Sequence, residues 1–161
     1  MPLRGEYDFV KVLDFGIVKA LPNTMETGAT LTRDNFVTGT PAFIAPEEAL
    51  GKPLDSRADI YATGCVAYWL LTGELVFSAD TPMGMLVEHA HTPPTPPSTR
   101  TEMPIPAAVD RVVLDCLAKD PAGRPQTAKE LSRRLDEVGS TGDWTEAEAK
   151  DWWTMHQPVA S

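Results

Sequence analysis

Cysteine is scarce in this chain. Cys65 and Cys116 stand far apart, with no C-x-x-C spacing. That excludes a disulfide-dense scaffold and a cysteine-rich zinc centre. Two buried thiols in a reducing cytoplasm are the expectation. Cations are also few: 14 Lys and Arg against 23 Asp and Glu leave a net charge of −9. A general nucleic-acid binder needs the opposite balance, because its Lys and Arg displace counterions from phosphates. The same deficit leaves little to hold an anionic membrane surface. Long apolar runs are missing as well. The most apolar stretch, 60–77, is interrupted by Thr63, Gly64, Thr72, Gly73 and Glu74, whereas a membrane span needs about 20 mostly apolar residues. Residues 1–7 lack the apolar centre of a signal peptide, and no internal repeat is visible. What is present is 161 residues of ordinary globular composition. That length buries roughly 70% of its unfolded surface, enough for one core.

The pattern along the chain predicts a mainly helical protein. Residues 7–15 open with a short strand or hairpin pattern, Val10 and Val12 on one face and Phe9, Lys11 and Leu13 on the other. Residues 17–40 lose periodicity and are rich in Thr, Asn and Gly. A loop that long inside a compact domain is usually functional or disordered. Ser56 to Asp59 has the S-x-x-D form of a helix start. The helix that follows carries apolar residues in nearly every direction, which predicts burial all round, and Gly73 is its left-handed cap. Pro82 fits the first position of the next helix, through about His91. Six prolines between Thr92 and Pro106 predict an extended surface connection, since proline supplies no N–H.

Val109, Val112, Val113, Cys116 and Leu117 form one apolar stripe. Thr127 to Glu130 and Thr145 to Glu148 are two further helix starts of the capping-box form. Between them Ala128, Leu131, Leu135 and Val138 make a stripe, with Glu130 and Arg134 as an i, i+4 pair. His89 and His91 lack a third ligand nearby, so no metal site is expected of them. They are expected to face solvent at a helix end, where cations are favoured.

Four short motifs occur in order. Asp14-Phe15-Gly16 closes the first strand, and Gly39-Thr40-Pro41-Ala42-Phe43-Ile44-Ala45-Pro46-Glu47 follows the Thr-rich loop. Asp59-Ile60-Tyr61-Ala62-Thr63-Gly64 heads the apolar helix, and Asp120-Pro121 with Arg124-Pro125 precedes the helix after Gln126. Together, over about residues 5 to 138, they resemble the protein kinase family from its D-F-G motif to the end of the C-terminal lobe. The style is similar to that of bacterial serine/threonine kinases.

The resemblance implies a lobe of about six helices with a long activation loop, spanning 1–138, and a tail at 139–161 with a short Trp-rich helix. It implies that Asp14 holds Mg²⁺ against the phosphates of ATP, with Phe15 and Gly16 completing the motif. Residues 17–44 become the activation segment. Thr24, Thr27, Thr30, Thr32 and Thr38 are candidate phosphosites there, with Thr30 and Thr32 favoured. A phosphate adds nearly two charges and can order such a loop against an arginine. Thr40 would lie beside the catalytic aspartate and the accepting hydroxyl. Pro41, Phe43 and Ile44 would shape the surface for the substrate residue after the phosphoacceptor. Glu47 and Arg124 would form a buried structural ion pair, and breaking such a pair costs about 3–5 kcal/mol. Asp59 would accept hydrogen bonds from the catalytic loop; a plain helix-start carboxylate is the other reading, and it could be both.

Several parts of a kinase have no counterpart in these 161 residues. Only thirteen residues precede Asp14, with no Gly-rich loop, no His and no Asn; their one lysine, Lys11, lies on the strand itself. The base, the second metal ligand and the phosphate-binding lysine all precede D-F-G in the family. Phosphoryl transfer depends almost wholly on positioning and electrostatics. This chain alone is therefore expected to be catalytically incomplete, with a protein substrate or the missing upstream half as its partner. The rival expectation is a non-catalytic scaffold module.

Overall fold

A computed structural model describes residues 41–139 and 145–156. The expected strand, the D-F-G motif and the loop through Thr40 lie outside the described residues. Among the described residues the chain has six α-helices and no strand, the mainly helical class that the sequence predicts.

Helix α1 (Pro46–Ala49) begins with a proline at its first position, where no N–H is needed. Helix α2 (Arg57–Thr72) is the longest. The S-x-x-D reading of its start is corrected. Ser56 is already helical (φ −60°, ψ −13°) and makes no side-chain cap. Asp55 does that work instead, its Oδ1 accepting from the Arg57 N–H at 2.9 Å. The far end matches expectation: Gly73 sits at φ 73°, its N–H donating to the Trp69 carbonyl at 2.7 Å.

Helix α3 (Pro82–His91) is capped by Thr81, whose hydroxyl accepts from the Gly84 N–H at 3.0 Å. The proline-rich connection is extended apart from a 3₁₀ turn at Pro97–Thr99. Ser98 ties that turn to Asp110 of helix α4 (Ala107–Cys116) through its N–H at 3.0 Å and through its hydroxyl. Helix α5 (Ala128–Val138) starts on Thr127, which accepts from the Glu130 N–H at 3.1 Å. The returning Glu130 carboxylate takes the Gln126 N–H at 2.7 Å, one residue further back than a simple capping box.

Helices α1 to α5 lie in one compact unit and helix α6 (Glu146–His156) in another. In the first unit α2 packs against α4, α4 against α5, and α1 against α3. Tyr61, Cys65 and Tyr68 of α2 meet Val76, Phe77, Met85, Val113 and Leu117 in the main core. Ile60, Val112, Cys116 and Leu131 form a second cluster. At Gly64 an added Cβ would lie 2.7 Å from the Cβ of Cys116, so glycine sets the closeness of α2 and α4.

Burial of α2 all round is also corrected. Val66, Trp69 and Leu70 are 43%, 47% and 71% exposed on one face. Residues at these spacings share a face, and the described helices cover only the opposite one. In α6, Thr145 and Glu148 form the full reciprocal capping box, and the Trp152 and Trp153 rings meet edge to face at 5.0 Å.

Candidate functional site

The motif residues that the structure describes converge at the start of α1. Pro41–Phe43 is a 3₁₀ turn with Ala42 buried inside it. The chain then extends through Ala45 (φ −74°, ψ 148°), and Pro46 turns it into α1. This places Glu47 in the first helical turn, 5% exposed. From the other side comes the turn Pro121–Gly123, capped by Asp120, whose carboxylate accepts from the Ala122 N–H at 2.9 Å. Arg124 follows it and is 1% exposed.

These two residues, 77 positions apart, form a fork-to-fork pair. Nη1 and Nη2 of Arg124 donate to Oε1 and Oε2 of Glu47, each at 2.7 Å. The other donors reach the carbonyls of Ala118 (2.8 Å), Arg57 (2.9 Å) and Lys119 (3.3 Å). The guanidinium carbon also lies 4.9 Å from the Tyr61 ring centroid. A guanidinium has five donors in fixed geometry, and here all are used. Burial would raise the pKa of Glu47. The hydrogen bonds from Arg124, the residue's own backbone N–H and the arginine's charge reverse that, so its carboxyl titrates below its usual range. The pair pins α1, the head of α2 and the turn before α5 to one another. A buried, satisfied pair adds little net stability over an apolar substitute, but stranding either charge costs about 3–5 kcal/mol.

Pro41, Phe43 and Ile44 are each half-buried. Phe43 leans on the main core, so the floor of the expected substrate surface is held from beneath. Asp59 lies in the first turn of α2, exposed, and its carboxylate has no hydrogen-bond partner among the described residues. It heads the same face that carries Val66, Trp69 and Leu70. Asp14, Phe15, Gly16, Thr24, Thr27, Thr30, Thr32, Thr38 and Thr40 lie outside the described residues. Among the described residues no group of three or more His, Cys, Asp or Glu could hold a metal ion.

His89 is a further correction. It is fully buried rather than solvent-facing. Its Nδ1 lies 2.9 Å from the Tyr61 hydroxyl, and Phe77 packs edge-on against its ring at 5.0 Å. Nε2 has no hydrogen-bond partner among the described residues. Burial, then the nearby charge of Lys119, pushes the imidazole down to about 4, against the weaker pull of the Ala42 backbone and Glu88. Lys119 donates to the carbonyls of His89 (2.7 Å) and Glu88 (3.4 Å), and its ammonium lies 4.4 Å from the Phe77 ring centroid. Sequence reading missed this Tyr61–His89–Lys119 group. The available signal was the four-residue step from Met85 to His89, which puts both on the inner face of α3. Cys65 and Cys116 are buried free thiols, as expected, and burial raises them to about 12 and about 11.

The protein kinase domain model matches residues 3–134. The chain belongs to the protein kinase family. It is similar to the serine/threonine-protein kinase pkn3 of Myxococcus xanthus, 44% identical over 138 residues, covering 85% of this chain and 25% of that protein. It is 43% identical over 129 residues to the serine/threonine-protein kinase PknB of Mycobacterium tuberculosis, covering 80% of this chain and 20% of that one. The probable serine/threonine-protein kinase PknB of Corynebacterium glutamicum matches at 43% over 129 residues, 78% of this chain and 20% of the relative. The chain thus spans a fifth to a quarter of the length of the curated relatives it matches. In kinase terms, Glu47 closes the A-P-E motif and Arg124 is its distant partner.

Proposed function

We propose that this chain is the substrate-docking and metal-holding part of a serine/threonine protein kinase, which transfers the γ-phosphate of ATP to a protein hydroxyl. The observation that carries the reading is the buried Glu47–Arg124 fork, which anchors the segment 41–47 to the helical lobe. Pro41, Phe43 and Ile44 would receive the residue after the phosphoacceptor, Thr40 would orient the accepting hydroxyl, and Thr30, Thr32 and Thr38 are the candidate phosphosites. Asp14 would hold Mg²⁺, which supplies charge neutralisation for the nucleotide phosphates.

The 161 residues supply neither a Gly-rich loop nor H-R-D-x-x-x-x-N. Alone, the chain is expected to incorporate no radiolabel from ATP with Mg²⁺. A chimera carrying the upstream half of the PknB kinase domain ahead of residue 5 is expected to phosphorylate serine or threonine, and Asp14→Ala to abolish it. Autophosphorylation by the isolated chain, lost in Asp14→Ala, would overturn the incompleteness. A chimera that binds protein partners equally well without ATP and never transfers phosphate would favour the scaffold reading.

A further inference from the structure

A surface cavity of about 530 Å³ opens between α1, the end of α3 and the turn before Arg124. That volume falls in the range of sites that take ligands, about 300–1,000 Å³. Lys52, His91 and Lys119 line it, together with the carboxyl-bearing Glu47 and Asp120. Of the two acids, Glu47 is neutralised by both Nη atoms of Arg124, and Asp120 spends one oxygen on the backbone N–H of Ala122. The cationic side is not matched in the same way. Lys52 and His91 have no acidic partner among the described residues. Lys119 has three ammonium donors, and carbonyls take two of them. Glu88 is near enough to favour charge on Lys119 but forms no ion pair with it. Burial pulls Lys119 down to about 8, as expected of an ammonium with no counter-anion beside it. On a chain of net charge −9, the two lysines against Asp120 leave this concavity with a small surplus of positive charge once Glu47 is paired with Arg124. Its rim is apolar: Leu50, 43% exposed, with Pro53 and Pro121.

We propose that this cavity is a docking site for an acidic peptide segment of a partner protein. Its carboxylates are taken by Lys52, His91 and the remaining donor of Lys119, and an apolar side chain lies against Leu50 and Pro53. Charge complementarity selects the occupant: Lys52 and one donor of Lys119 are uncommitted and Glu47 is neutralised by Arg124, so a carboxylate adds contacts there without displacing any. The site is read by binding and stands apart from the catalytic reading.

The test is fluorescence anisotropy of a labelled glutamate-rich peptide with one central leucine, titrated with the full 161-residue chain. Binding is expected, weakening as salt is raised toward about 0.5 M, where exposed charges are screened. Lys52→Glu with His91→Glu is expected to weaken it by about tenfold or more, as charge reversal at a rim does. Both residues are exposed, so the fold should survive, and an unchanged melting temperature checks this. Lys129→Glu, an exposed residue on α5, makes two of those three units of charge change away from the cavity, His91 being counted neutral, and is expected to leave affinity unaltered. No binding of the peptide would overturn the proposal. So would equal weakening by Lys129→Glu, which would show attraction to net charge only. Inorganic phosphate that displaces the peptide at equal concentration would also overturn it, by showing a simple anion site.

Discussion

A proton on His89 would have to enter a fully buried ring whose surroundings already include the Lys119 ammonium. Its folded value of about 4 lies below the ordinary 6.5. Between those values the unfolded chain binds the proton more readily than the folded one. The neutral ring therefore contributes its full stability above pH 6.5, and that contribution is lost as pH falls toward 4. The shift corresponds to about 3 kcal/mol in all. Urea unfolding at steps from pH 7 to pH 4.5 should show stability falling from pH 6.5, before carboxylates such as Glu47 begin to titrate. His89→Gln, which can still bond to Tyr61, should remove the upper part of that slope. Equal slopes for the two proteins between pH 6.5 and pH 5 would sink the idea.

At the scale of elements, the helix boundaries follow local chemistry, and closeness of approach does not. Thr81, Thr127 and Thr145 cap α3, α5 and α6 with their hydroxyls, and Gly73 ends α2. Thr127, Thr145 and Gly73 were legible, because a cap is an interaction among residues a few positions apart; for α3 only Pro82, the residue after the cap, was read. Ser56 was misread because the Asp55 carboxylate, one position earlier, competes better for the same N–H. The role of Gly64 was not legible at all. Alanine there would favour an isolated helix by about 1 kcal/mol, yet its Cβ would sit 2.7 Å from that of Cys116. Overpacking of this kind costs about 1–3 kcal/mol. Gly64→Ala is therefore expected to lower the melting temperature despite its better helix propensity. A melting temperature at or above the parent's would show that α2 and α4 separate freely.

Over the whole molecule, the exposed face of α2 marks where the described helices leave apolar surface uncovered. Exposed apolar patches of a few hundred Å² mark interaction sites or aggregation risks. The 161-residue chain is expected to enhance the fluorescence of a hydrophobic dye. Leu70→Gln should reduce that signal while leaving the melting temperature nearly unchanged, since that side chain is 71% exposed. A parent chain that binds no dye would contradict this. Sequence alone determined the family, the helices and most of their ends, because motif order, capping and apolar periodicity are carried by near neighbours in the chain. It also named Glu47 and Arg124 as partners, but only through resemblance. Tertiary structure decided what depends on distant segments meeting: that Arg124 also ties down three carbonyls, that His89 is core and not surface, that the described helices cover only one face of α2, and that Lys52, His91 and Lys119 share a cavity. Burial and charge pairing are properties of what surrounds a side chain, and its neighbours in space are not its neighbours in sequence.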